Sequence, residues 1–235
     1  KLRQIRAYGA ELVAVPGPRS AVADAARAAG SVAGAYHVSH NDNPLFVVGN
    51  QSIAFELAEA ARDLGTGGRP WHIVMPVGGG ALYMGAADGF AGATFGDLPP
   101  PRLHGAQTTS CAPLATAYAA GSAEPAVVTR VETVCGGIEI ERPHRGRAIL
   151  AAARASGGSI VASDDSTILD ARNALARKEG VYAEPTSCAG AAALMHLAAI
   201  GAVRPDDLVM LVLTGTGLKD PGPVDAYEKT SAEGT

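Results

Sequence analysis

Aromatic side chains make up only 5% of the 235 residues, and charged ones 18%. A core cannot be built around large rings, so the 47% hydrophobic content must pack as closely fitted Ala, Val, Leu and Ile. Cysteine is nearly absent. Cys111, Cys135 and Cys188 are odd in number, far apart, and form no CxxC pair. That argues against a disulfide scaffold or a thiolate zinc site and points to a reducing cytoplasm. The formal charge of -4 leaves no basic footprint for nucleic acid. No apolar run is long enough to span a bilayer, so no membrane partner is expected. Lysine is scarce too: Lys1, Lys178, Lys219 and Lys229 are all there are.

Glycine, in contrast, is plentiful at 29 residues, which suggests many tight turns or close backbone approaches. The apolar pattern alternates between strand-like and helix-like segments. Short buried strands are expected at Ala10–Val15, within "AYHVS", at Trp71–Val77, "RLHGAQ", "GSIVAS" and Asp207–Leu213. Helices are expected at Ser20–Ala29, Ser52–Leu64, Gly79–Phe95, Pro113–Ala120, Arg145–Ser156, Asp165–Lys178 and Thr186–Ile200. Residues 121 to 143 read as irregular. Several strands are apolar on both faces. The fold class is therefore α/β, with a mostly parallel sheet and helices on both of its faces.

Three stretches carry chemistry. In "IVMPVGGGALYMG" a buried strand runs into Gly78, Gly79 and Gly80, and a helix follows with Ala81 and Leu82. A helix start at the carboxyl end of a parallel strand offers free amides and a partial positive charge. Glycines let that backbone approach a ligand, so the turn suits a phosphate. It equally suits a tight turn with no ligand, and it is neither a Walker loop nor the spaced dinucleotide fingerprint. In "VMLVLTGTGLKDP" a strand ends at Thr214 before a Gly-Thr-Gly turn. A neutral hydroxyl there can bond a heteroaromatic nitrogen without forcing a proton onto it, or simply close a turn. In "EGVYAEPTSCAGAAALMHL" Thr186 or Ser187 is placed to cap an Ala-rich helix able to pack tightly on the sheet.

"PVGGGALYMG", "EPTSCAGAAAL" and "LTGTGLKDP", in this order, resemble the pyridoxal-phosphate enzymes of the β-family, fold type II. "NPLFVVGNQSIAFELAE" and "KLRQIRAYGAELVAV" are similar to further parts of that family, so the resemblance covers almost the whole chain. The ending "LTGTGLKDP" looks most like the threonine synthase branch. The resemblance implies pyridoxal 5'-phosphate as cofactor, with Gly78, Gly79, Gly80, Ala81 and Leu82 holding its phosphate and Thr214 facing the pyridine nitrogen. It implies a lyase making threonine and phosphate from O-phosphohomoserine and water. The alternatives are a threonine or serine dehydratase, another β-replacement enzyme, or a non-catalytic binding module. It also implies an amino-acid substrate, a homodimer, and two domains: 1–40 as the C-terminal part of the small domain and 41–235 as the large cofactor-binding domain. Gly79, Leu82, Cys188 and Cys135-Gly136-Gly137-Ile138 depart from the residues usual in threonine synthases, which bears on substrate more than on cofactor.

Covalent chemistry on this cofactor needs a lysine amine. Lys219 matches a different lysine of the family, and no Ser-Phe-Lys-like segment exists here. The Schiff-base lysine is therefore expected to be absent from this chain, an N-terminal truncation is expected, and the chain alone is expected to be inactive. No metal site is expected, since His37 and His40 do not share a strand face. Asp164-Asp165 reads as a helix N-cap pair, and Arg142, Arg145 and Arg147 as a solvated basic turn, with an anion site for a phosphorylated substrate as the alternative.

Overall fold

The computed structural model describes residues 2–17, 19–32 and 34–219. The chain divides into two compact units, Lys1–Asn43 and Pro44–Thr235. The first holds α1 (Leu2–Ala7) and α2 (Arg19–Gly30). There Arg27 pairs with Asp24 at 3.0 Å and with Asp42 at 3.5 Å. The strands expected at Ala10–Val15 and within "AYHVS" do not form, and both stretches lie without regular structure. The reason is that strand propensity is realised only against a neighbour. Among its described residues this unit contains no strand to pair with.

The second unit is an α/β layer structure. Its strands are β1 (Trp71–Pro76), β2 (Arg102–Thr108), β3 (Ile160–Ser163) and β4 (Leu208–Leu211). They form one parallel sheet in the order β3-β2-β1-β4. Helices α3 (Leu45–Asn50), α4 (Ser52–Leu64), α5 (Ala81–Gly92), α6 (Pro113–Ala119), α7 (Gly146–Ala155), α8 (Asp165–Ala174) and α9 (Pro185–Ala199) accompany it. A short π-helix, Leu175–Glu179, ends the run expected as one helix to Lys178.

The two faces of β1 go to two cores, as the period of two requires. Ile73, Met75 and Val77 meet α5, α6 and α7 through Tyr83, Leu114, Ile149 and Leu150. Val74 meets α8 and α9 through Ile168, Ala189, Ala193 and Leu197. The small residues of α9 let it lie close on the sheet. A Cβ at Gly190 would come within 3.0 Å of Leu211 Cδ1 and 3.9 Å of Met75 Cα.

The order of strands decides where a ligand can sit. From β1 the chain steps to β2 and β3 on one side, then returns to place β4 on the other. The crevice of such a sheet opens outside the carboxyl ends at the reversal, between β1 and β4. The opposite, amino edge carries a buried polar row. His72 Nε2 faces Asp207 Oδ2 at 3.3 Å, His72 Nδ1 meets His104 Nε2 at 2.9 Å, and His104 Nδ1 meets Ser159 Oγ at 2.8 Å. Among the described residues, no helix is long and apolar enough to cross a membrane.

Candidate active site at the carboxyl edge of the sheet

One wall is the exit from β1. Val77 N–H donates to Ala106 O at 2.9 Å, and Val77 O accepts from Gln107 Nε2 at 3.3 Å. The backbone then turns through Gly78, Gly79 and Gly80. Gly80 has φ 88°, the left-handed region, and a Cβ there would run into Ile149 Cδ1. A Cβ at Gly78 would lie 3.1 Å from Ile138 Cα. At Gly80 a side chain is thus opposed by its neighbour as well as by conformation, and at Gly78 the approach is tight. Gly80 is the N-cap of α5 and gives no side-chain cap. The first bond into the helix is Met84 N–H to Gly80 O at 2.9 Å. The amides of Ala81, Leu82 and Tyr83 therefore have no acceptor inside the helix, and the helix dipole adds positive character there.

The other wall is the exit from β4. Ser187 Oγ accepts Thr214 N–H at 3.0 Å and Gly215 N–H at 2.8 Å, and lies 3.0 Å from Thr214 Oγ1. Glu184 N–H donates to Gly215 O at 3.0 Å. These bonds tie the start of α9 to the end of β4. They also correct the expected cap. Glu184 is the N-cap of α9, with Pro185 in its first turn. Ser187 lies inside the helix and turns its hydroxyl to Thr214 and Gly215, while Thr186 Oγ1 accepts Gly137 N–H at 3.2 Å.

Both walls line one cleft of about 240 Å³. Pro76, Val77, Gly78, Gly80, Leu82 and Tyr83 contribute from the first, and Glu184, Thr186 and Thr214 from the second. Gly137 and Ile138 add a third side. Of the residues singled out in the sequence, Gly78, Gly80, Leu82 and Thr214 line the cleft. Gly79 and Ala81 belong to the same turn but are not among the lining residues.

Three supporting residues were not legible as such. Ser187 resembled a helix cap. Gln107 resembled an ordinary strand residue. Its Oε1 accepts Leu114 N–H at 2.9 Å and Ala115 N–H at 3.0 Å, so it caps α6 while its amide holds Val77. Asp165 resembled half of a cap pair. Only Asp164 caps α8, accepting Thr167 N–H at 2.8 Å. Hydrogen bonds from Ser166 and Thr167 hold its carboxyl down at about 2. Asp165 instead accepts Thr133 Oγ1–H at 2.6 Å, Val134 N–H at 2.9 Å and Thr108 Oγ1–H at 3.1 Å. That anchors the irregular segment leading to Gly137 and Ile138.

The thiols near the cleft are inert. Burial pushes Cys135 up to about 12, with Asp165 adding to it, and burial pushes Cys188 up to about 11. Neither supplies a thiolate near neutral pH. Arg142, Arg145 and Arg147 do not line the cleft. Arg147 pairs with Glu124 at 2.9 Å on the surface. The arrangement can therefore bind an anionic ester at free backbone amides and meet a second polar atom with a hydroxyl. A group with a phosphate at one end and a ring nitrogen at the other fits that pair of features.

The sequence profile described as pyridoxal-phosphate dependent enzyme matches residues 1–215. Threonine synthase of Halalkalibacterium halodurans is 32% identical over 94% of this chain and 59% of its own length. Threonine synthase of Methanocaldococcus jannaschii is 29% identical over 99% of this chain and 56% of its own. Among solved structures, a threonine deaminase from T.th. superposes with a TM-score of 0.72 at 25% identity, covering 92% of this chain and 66% of that one. Maize serine racemase shares the fold, with a TM-score of 0.75 at 17% identity over 99% of this chain and 66% of that one. The chain spans less than two thirds of the length of each of these proteins.

Proposed function

The chain belongs to the pyridoxal-phosphate dependent enzymes, in their fold type II α/β architecture, and we propose that it forms the cofactor-binding part of a lyase of the threonine synthase kind. The observation that carries this reading is the shared cleft. The glycine turn after β1 and the hydroxyl after β4 line the same space at the reversal of strand order. In this reading the amides of Gly78, Gly79, Gly80, Ala81 and Leu82 bind the phosphate, and the Thr214 hydroxyl bonds the ring nitrogen. When bound, the cofactor supplies an electron sink for a carbanion formed beside an amino group. The protein supplies position and environment. The α5 dipole favours the phosphate dianion. The neutral Thr214 places no charge beside the ring. Gly137 and Ile138 line the same cleft from a third side.

We assign residues 1–40 to the small domain and 41–235 to the large one. The compact division after Asn43 supports that assignment. The lysine that would bond the cofactor covalently is not among Lys1, Lys178, Lys219 and Lys229 in this reading, so the chain alone holds cofactor only non-covalently and does not turn over. The whole protein acts as a cytoplasmic homodimer on a small amino-acid substrate. Similarity to threonine synthases favours O-phosphohomoserine as that substrate, and the likeness to threonine deaminase favours threonine as the second candidate. Phosphate release from O-phosphohomoserine, compared with keto-acid formation from threonine by the whole protein, decides between them. Release of phosphate is the expected outcome, and keto acid alone would replace this assignment with the dehydratase.

A further inference from the structure

We propose that Glu184 is a specificity-determining residue whose carboxylate receives a protonated nitrogen of the ligand held in the cleft. The inference rests on the reading above that the cleft takes a phosphorylated pyridine, and it names the second charge that such a ligand carries there.

Glu184 is the one charged residue among those that line the cleft. Its backbone is fixed on both sides. The N–H donates to Gly215 O at 3.0 Å, and the carbonyl accepts Ser187 N–H at 3.0 Å and Cys188 N–H at 3.2 Å. Pro185 follows it, which favours the extended conformation in which Glu184 is found, φ -68° and ψ 153°. The carboxylate does not serve the helix that it begins. Glu184 holds the N-cap position of α9, yet its side chain makes no capping hydrogen bond. Nor does the carboxylate form a hydrogen bond or an ion pair with any described residue.

Gly215 supplies the seat. It is not among the glycines with positive φ, so its backbone does not call for glycine. Space does. A Cβ at Gly215 would run into Glu184 Oε1 and lie 2.5 Å from its Cδ and 3.1 Å from its Cγ. The carboxylate thus lies against the main chain directly after Thr214. Gly215 is itself held in place, with its N–H on Ser187 Oγ at 2.8 Å.

The cleft therefore offers two charges of opposite sign. One wall has the free amides and positive end of α5, and the other has a carboxylate. An anion alone is drawn by the first and repelled by the second. A ligand with a phosphate and a protonated nitrogen satisfies both. A hydrogen bond from that nitrogen to a carboxylate is worth about tenfold in affinity. A phosphorylated pyridine can carry the proton on an exocyclic amine or on the ring nitrogen, and the test separates the two.

Calorimetry of the unsubstituted chain and of Glu184→Gln with pyridoxamine 5'-phosphate and pyridoxine 5'-phosphate compares an amine with a hydroxyl at the same place. Nitrogen NMR of ring-labelled pyridoxine 5'-phosphate bound to the same two chains reads the ring pKa. One of two results is expected. Either the unsubstituted chain prefers the amine by about tenfold and Glu184→Gln does not, or the bound ring pKa stands about one unit higher in the unsubstituted chain than in Glu184→Gln. The first result puts the proton on the amine and the second on the ring. Gly215→Ala keeps the carboxylate but fills its seat, and should reduce whichever effect is seen. An effect undiminished there overturns the seat assigned to Gly215. Equal affinity ratios together with equal ring pKa values in the unsubstituted chain and Glu184→Gln overturn the proposal while leaving the proposed function intact. Failure of the unsubstituted chain to bind either probe would sink the cofactor reading itself, and the role of Glu184 with it.

Discussion

Gly80→Ala isolates what the turn after β1 demands. Gly80 sits at φ 88°, where a residue with a Cβ costs about 1–2 kcal/mol. The added methyl would also fall on Ile149 Cδ1, and Ile149, on α7, is fully buried. Overpacking of that kind costs about 1–3 kcal/mol. The two effects act at one atom, so the variant should lose roughly 2–5 kcal/mol of unfolding free energy. Urea melts followed by circular dichroism give the change in midpoint and slope. Gly49→Ala is the control, because a Cβ there meets nothing within 4 Å and lies in α3. It should leave stability unchanged or raise it slightly, by about 0.4–1 kcal/mol. A Gly80→Ala midpoint indistinguishable from the parent would refute the argument that this turn is closed to side chains.

Further consequences are equally measurable. Gln107→Leu leaves Val77 O and two α6 amides without their partner, and should cost about 2–4 kcal/mol in the same urea melts; a loss below about 0.5 kcal/mol would show that Gln107 is not a strut of the cleft wall. Thr133→Val removes the shortest bond to Asp165 and should speed amide hydrogen exchange at Val134 through Ile138 while α8 stays protected. Unchanged exchange would mean the segment is held by something else. Acid should weaken the fold through the buried histidine row. Burial, with His72 adding to it, pushes His104 down to about 4, below its ordinary value near 6.5. The unfolded chain therefore binds a proton that the folded chain refuses, so stability is present above about pH 6.5 and is lost as pH falls towards about 4. The slope should be about 1.4 kcal/mol per pH unit over that window. His104→Gln should flatten it, and a parent profile that is already flat would contradict the assignment.

The sequence made the α/β sheet and its cleft largely legible because those features are written locally. Runs such as Trp71–Val77 are apolar at every position that both cores need, and Gly78-Gly79-Gly80 is visible without knowing its neighbours. Strand pairing in the first unit was not legible, because Ala10–Val15 has the composition of a strand while the partner that would make it one is missing from that unit's described residues. The supporting polar residues were hidden for a related reason. Ser187 stands where a cap belongs, and its partner Thr214 lies 27 residues further along the chain. Asp165 stands beside a true cap, and its partners Thr133 and Thr108 come from two other segments. Chain-distant hydrogen bonds leave no periodic signature.

The most direct test follows the backbone amides of the labelled chain by NMR as pyridoxal 5'-phosphate is added. One saturable event should perturb Gly78 through Tyr83 and Thr214 together, with Gly137 and Ile138 following. Perturbation confined to lysine-bearing surface, or binding that moves the glycine turn while leaving Thr214 untouched, would contradict it.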